Sequence, residues 1–245
     1  MIGRTIVVTG AGSGIGQAVT DRCLATGARV AGIDLDVEGV PARDAGNFIA
    51  VAADVADENS VRAAVAEIVE NFADVDALVN CAGIGGYTGD VTETSPESWR
   101  RVLDVNLTGA YLVSREVLPV MRRGSSGAVV HVSSQYGMVG GAGFPAYCAA
   151  KAGLIGLTRA MAVDHAPDGI RVNCVCPGPT DTPMLARSGR DETGGREAER
   201  VRERNLFGTP APARKVAEVI GFLLGPGSAS MTGAVVPVDG GWTAG

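Results

Sequence analysis

The sequence predicts an α/β fold: a doubly wound, mostly parallel seven-stranded sheet with helices on both faces, in a single domain spanning residues 1–245. Three observations predict it. Short β-branched runs alternate with longer helical stretches along the chain, the order that builds crossover units. The strand segments are apolar almost throughout rather than alternating, as strands covered on both faces are. A glycine-rich turn joins the first strand to the first helix, and no repeat, low-complexity tract or interdomain linker interrupts the pattern.

In order, Arg4–Thr9 reads as the first strand, followed by a helix from about Ile15 to Thr26. Ala28–Ile33 and Asn47–Ala52 are the second and third strands. Glu58–Phe72 is helical, with Val61, Val65, Ile68 and Val69 on one apolar stripe. Asp76–Asn80 is the fourth strand. One long helix is expected from Pro96, capped by Ser95, toward Met121. Gly127–Val132 is the fifth strand, Phe144–Asp164 a helix, Ile170–Val175 the sixth strand, Pro212–Leu224 a helix and Ala234–Val238 the last strand. Residues 183–210 stand apart. Arg187, Arg190, Arg196, Arg200, Arg202 and Arg204 face Asp191, Glu192, Glu197, Glu199 and Glu203 there, broken by glycines. Two readings stay open: a solvated helical excursion, or a mobile lid over a pocket.

Composition narrows the class. Net charge is −6 with no basic stripe, which argues against nucleic acid and anionic membrane as partners. No apolar run approaches a membrane span, and the first residues read as a strand rather than a signal peptide, so the expected location is cytoplasmic. Cys23, Cys81, Cys148, Cys174 and Cys176 are an odd, scattered set that fits reduced, buried thiols. With two histidines in the chain, no metal site is expected.

Thr9–Gly16 lies between the first strand and the first helix. Gly10, Gly12, Gly14 and Gly16, with Ser13 and Ile15, let backbone approach a pyrophosphate at a helix N-terminus. The spacing is T-G-x-x-x-G-x-G rather than G-x-G-x-x-G. Asp34 closes the second strand, 18 residues beyond Gly16. At about this distance in Rossmann-type folds an acid binds the adenosine ribose, and its charge repels a 2′-phosphate, so NAD is expected over NADP. Asp36 is the rival if the strand ends two residues later.

Tyr147 and Lys151, at i and i+4 on a predicted helix, share a face. A tyrosine has an ordinary pKa of about 10, and bringing it to about 7 takes about 4 kcal/mol. One ammonium about 4 Å away, at an effective dielectric of about 20, supplies that much. Ser134 ends the fifth strand, 13 residues earlier, where a hydroxyl can polarise a carbonyl.

These motifs, in order, resemble the short-chain dehydrogenase/reductase superfamily over nearly the whole chain: Thr9–Gly16, Asp54-Val55, Asn80-Cys81-Ala82-Gly83, Asn106, Ser134, Tyr147 with Lys151, Pro177-Gly178 with Thr180 and Thr182, and Val238–Gly241. The resemblance implies an oxidoreductase interconverting a secondary alcohol and its ketone with NAD. Tyr147 would be the general acid/base and Ser134 would orient the carbonyl. Lys151 would lower the tyrosine pKa and bind the nicotinamide ribose, and Asn106 would hold a relay water. Asp54 and Val55 would contact adenine, Asn80, Ala82 and Gly83 would border the cofactor, and Pro177–Thr182 would flank the nicotinamide. Cys81 departs from the family's usual second asparagine.

For the substrate, Gln135, Phe144 and Met184 are the leading pocket residues, with Gly85, Tyr87, Tyr136, Met138 and Leu185 behind them. The mixture points to a compact, moderately apolar alcohol, cyclic or sugar-derived, with Gln135 available for a second hydroxyl. The family implies a homotetramer, which the small residues Ala149, Ala150, Ala152, Gly153 and Gly156 would permit. Two rivals are a 3-oxoacyl-(carrier protein) reductase and a non-catalytic NAD(H) sensor. Asp34 and the acidic balance weigh against the first, the complete Asn106–Ser134–Tyr147–Lys151 set against the second.

Overall fold

The computed structural model describes residues 1–38, 40, 46–86, 88–124, 126–188, 199, 201 and 203–245. Its strands are β1 (Thr5–Thr9), β2 (Arg29–Asp34), β3 (Phe48–Ala52), β4 (Ala77–Asn80), β5 (Gly127–Val132), β6 (Ile170–Pro177), β7 (Thr180–Asp181), β8 (Ala211–Pro212) and β9 (Val235–Val238). Seven form one sheet in the order β3-β2-β1-β4-β5-β6-β9, and each neighbouring pair is parallel. The expected architecture is therefore present. The two-residue pair β7–β8 was not expected; pairing so short and so distant in sequence leaves no pattern in the chain.

The helices are α1 (Gly14–Ala25), α2 (Glu58–Phe72), α3 (Pro96–Leu103), α4 (Gly109–Met121), α5 (Pro145–His165), α6 (Pro183–Ser188) and α7 (Ala213–Leu224). Two apolar cores explain the near-continuous hydrophobicity of the strands. Val7, Val129 and Val172 face α2 and α4, with Val61, Ile68, Val113 and Val117. Ile6, Val8, Val130 and Val132 point the other way onto α1 and α7, with Val19, Val216 and Ile220. Successive residues thus feed opposite cores, and a β-branched residue suits either side. Asp57 caps α2 by accepting from the Ser60 amide at 2.7 Å, and Ser95 caps α3 by accepting from that of Ser98 at 3.1 Å. No helix among the described residues is long and apolar enough to cross a membrane.

The helix expected to run unbroken from Pro96 to Met121 is instead interrupted by a π-helical turn at Asp104–Thr108. Asn106 supplies the reason. Its Nδ2 donates to the Val102 carbonyl at 2.9 Å, four residues back, and so takes the acceptor that its own amide would use in an α-helix. The turn widens, and such turns concentrate at functional positions. The expected lid begins as α6; residues 189–198, 200 and 202 of it lie outside the described residues.

Candidate active site

The carboxyl ends of β1, β2, β4, β5 and β6 open onto one cleft of about 340 Å³, beside the point where strand order reverses between β1 and β4. That is where open parallel sheets bind ligands. Gly10, Ser13, Gly14, Ile15 and Gly16 line its middle, Asp34, Asp54 and Val55 one end, and Ser134, Tyr147 and Lys151 the other. Ala82, Gly83, Pro177, Gly178, Thr180 and Thr182 also line it, as do Gln135, Phe144 and Met184.

At the turn, Ser13 precedes α1 without a side-chain cap and no acid occupies the first turn, so the positive helix end remains available to an anion. Gly14 has φ +55°, and a Cβ there would stand 3.2 Å from the Thr182 side chain, so the start of α6 rests directly on this turn. Gly12 is not on the cleft wall. Its amide donates to Asp34 Oδ2 at 2.8 Å, while the Leu35 amide donates to Oδ1 at 2.8 Å. The carboxylate is thereby fixed at the strand end, and Leu35 rather than a cation follows it.

Two other expected residues lie beneath the cleft rather than on it. Asn80 is buried, its Nδ2 3.0 Å from Ser114 Oγ and 3.2 Å from His131 Nδ1. Asn106 donates from Nδ2 to the Ile84 carbonyl at 3.2 Å as well as to Val102. Its Oδ1 is buried with no partner among the described residues. A Cβ on Gly83 would stand 2.6 Å from that oxygen and 3.5 Å from Lys151 Nζ, so both groups converge on a position only glycine leaves open.

Lys151 is buried, and its ammonium donates to the Val132 carbonyl at 2.9 Å. The Ser133 hydroxyl donates to the Lys151 carbonyl at 2.8 Å and ties α5 to the end of β5. Ser134 Oγ accepts from the Tyr136 amide at 3.2 Å, leaving its proton to donate elsewhere. The expected lowering of Tyr147 by Lys151 is not what the protein's own groups produce. Burial pushes the phenol up to about 12, and the hydrogen bond with Ser134 only partly offsets it. The ammonium lies 5.6 Å from the phenol ring centroid, and burial holds Lys151 below its usual value too. The burial that strengthens an ammonium's field also penalises the phenolate, and here that penalty is the larger effect.

Sequence reasoning missed Arg101 and Trp242, and named Arg187 only as part of the charged 183–210 segment. Arg101, in the last turn of α3, and Arg187, in α6, line the cleft. Arg101 lies four residues before Val105, and no motif marks it. Trp242 packs edge-on against Tyr136, with centroids 6.3 Å apart, and Tyr136 stacks on Phe144 at 5.3 Å. The tail that brings the tryptophan in is held by Asp239, which accepts from the Gly241 amide and from Thr243. Of the lesser pocket candidates, Gly85, Tyr136 and Leu185 line the cleft, Met138 does not, and Tyr87 lies outside the described residues.

Comparison with known proteins decides the family. A family model described as enoyl-(acyl carrier protein) reductase matches residues 10–243. The cis-4-hydroxycyclohexanecarboxylate dehydrogenase of Sinomonas cyclohexanicum is 41% identical, with 98% of this chain and 97% of that one covered. The chain belongs to the short-chain dehydrogenase/reductase superfamily. A second member of this superfamily, the meso-2,3-butanediol dehydrogenase of Serratia marcescens, is 38% identical over 98% of this chain and 95% of its own. The crystal structure of levodione reductase superposes with a TM-score of 0.93 at 34% identity, covering 100% of this chain and 99% of that one. As a short-chain dehydrogenase/reductase the protein is an oxidoreductase that uses a nicotinamide cofactor. Its cleft fits one: fixed carboxylate, open helix end and hydroxyl-bearing catalytic end follow one another along a single trough.

Proposed function

We propose that this enzyme is an NAD-dependent dehydrogenase of a compact secondary alcohol, cyclic or carrying a second hydroxyl, with Tyr147 as general acid/base. The observation that carries this reading is that Ser134, Tyr147 and Lys151 close one end of the cleft whose other end holds Asp34. Ser13 to Gly16 would hold the pyrophosphate, Asp34 the adenosine ribose, Asp54 and Val55 the adenine, and Pro177 to Thr182 the nicotinamide. When bound there, the nicotinamide would supply hydride chemistry, accepting hydride from the alcohol carbon or returning it to the ketone.

The protein's part is placement and proton handling. Tyr147 takes the hydroxyl proton during oxidation and gives it back during reduction. Ser134 donates to the substrate oxygen while negative charge sits there, a role its place beside the Tyr147 phenol supports. Lys151 balances the phenolate and holds ribose hydroxyls, and Asn106 Oδ1, buried and unpartnered beside it, supports a water-linked path from lysine to solvent. Burial holds Tyr147 near 12 in its protein surroundings, and a bound oxidised nicotinamide would add its positive charge to that of Lys151 in lowering it.

Substrate preference rests on the outer pocket. Tyr136, Phe144 and Met184 give apolar walls, and Gln135 Oε1 is buried with no hydrogen-bond partner among the described residues. A buried acceptor of this kind favours a ligand bearing a second donor. The names of the relatives agree in kind: one acts on a hydroxycyclohexane acid, another on butanediol. A cytoplasmic homotetramer is part of the same proposal, supported by exposed Tyr111 on α4 and Val163 on α5 beside Ala152 and Gly156. Light scattering giving a monomer mass would overturn the tetramer. The function is tested by a panel of cyclic alcohols and vicinal diols with NAD at alkaline pH. NADH formation with at least one cyclic alcohol or diol is expected; NADH binding without turnover on any of them would defeat the reading.

A further inference from the structure

The adenosine end of the cleft carries a cation that neither the sequence motifs nor the family comparison assigns. Its walls are Ile33, Leu35, Val55 and Val105, apolar side chains suited to the edges and one face of a flat base. Among the described residues, the charged groups there are Asp34, Asp54 and Arg101. Asp54 is oriented from within its own loop, Oδ1 accepting from the Ala56 amide at 2.9 Å. Its other oxygen faces Arg101 Nη1 at 3.6 Å, too long for a hydrogen bond, with the two side chains 50% and 35% exposed. A pair this open and this long contributes little to stability. What it does is hold a guanidinium over the solvent side of the pocket, close enough to be guided and loose enough to move.

We infer that Arg101 is a cofactor-binding residue that covers the adenine ring from the solvent side, its planar guanidinium stacked on the base and steered there by Asp54. The chemistry suits the position. A guanidinium is flat, weakly hydrated and attracted to a π face, whereas an ammonium is a compact, strongly hydrated charge that cannot stack. The cation also offsets two carboxylates that would otherwise give this end of the cleft a negative field toward a dinucleotide carrying two phosphate charges. Val105, four residues beyond Arg101 in the π turn, lines the same cleft, so the base would meet apolar side chain as well as the arginine. The inference rests on the dinucleotide occupying this cleft as proposed above.

The test separates the two. The full-length protein is titrated with NADH and with NMNH, the reduced half that lacks adenosine, following nicotinamide fluorescence. Arg101→Ala is expected to weaken NADH about three- to ten-fold and leave NMNH unchanged, and Arg101→Lys to recover little of the loss. Unchanged NADH affinity in Arg101→Ala, equal weakening of both ligands, or full recovery by lysine would each overturn the inference. Wild-type protein binding NADH no better than NMNH would instead strike the placement of the dinucleotide itself.

Discussion

Asp34→Ala should move cofactor preference from NAD toward NADP, and the structure sets the size of the change. The carboxylate closing β2 is held through both oxygens, by the Gly12 and Leu35 amides at 2.8 Å each, so it cannot swing away from a ligand. A 2′-phosphate would place about two negative charges about 4 Å from it. Each unit pair costs about 4 kcal/mol at an effective dielectric of about 20 and about 1 kcal/mol in water. Asp34 is half-buried, so a total of about 2–4 kcal/mol is reasonable, a preference for NAD of about 30- to 1,000-fold. Removing the carboxylate also removes charged hydrogen bonds to the ribose, about 1.5–3 kcal/mol. The variant should therefore lose about ten-fold or more with NAD, gain with NADP, and bring the two within about ten-fold of each other. Initial rates with both cofactors at one saturating alcohol concentration give the kcat/KM ratio, and fluorescence titration with NADH and NADPH gives binding alone. A wild-type enzyme that prefers NADP, or a variant with an unchanged ratio, would refute the reasoning.

Other consequences follow from single groups. His131, fully buried beside Asn80, is pushed down to about 3 by burial, with the Lys151 charge adding to it. The unfolded chain takes up a proton near pH 6.5 that the folded protein refuses, so stability should fall as pH drops from about 6.5 toward 3, by about 4–5 kcal/mol over the window. Urea midpoints at pH 7 and pH 4 should differ less in His131→Asn than in wild type, and an equal difference would contradict this. Arg171 donates to the Leu223, Gly225, Ser228 and Met231 carbonyls and tethers the end of α7. Arg171→Met should cost about 2–4 kcal/mol and lower Tm by about 5–12 °C in calorimetry. Gln135→Leu should lower kcat/KM for a diol at least ten-fold while changing the matching mono-alcohol little; equal losses on both would remove Gln135 from substrate recognition.

Much of the architecture was legible because its signals are local. β-branched runs bounded by glycine and aspartate marked every strand of the main sheet, and Ser95-Pro96 marked where α3 begins. The glycine-rich turn and Asp34 were readable for the same reason: spacing along one strand–turn–helix unit fixes their positions. The π turn at Asn106 left no trace in apolar periodicity, since it arises from one side chain competing for the Val102 carbonyl. The Tyr147 environment was misjudged because a pairwise charge argument contains no burial, and burial is a property of the folded whole. Arg101 carries no motif of its own. Only folding α3 over the end of β3 brings it to Asp54.

The central claim is that Tyr147 moves the proton while the rest of the cleft binds and aligns. It is tested most directly by Tyr147→Phe, assayed in parallel for turnover of the best alcohol and for NADH affinity. Removing only the hydroxyl leaves the ring packed against Phe144 and the neighbouring Lys151 in place. The account predicts a fall in kcat of at least about 10²- to 10⁴-fold with NADH affinity within about three-fold of wild type. Turnover retained in the variant would contradict it.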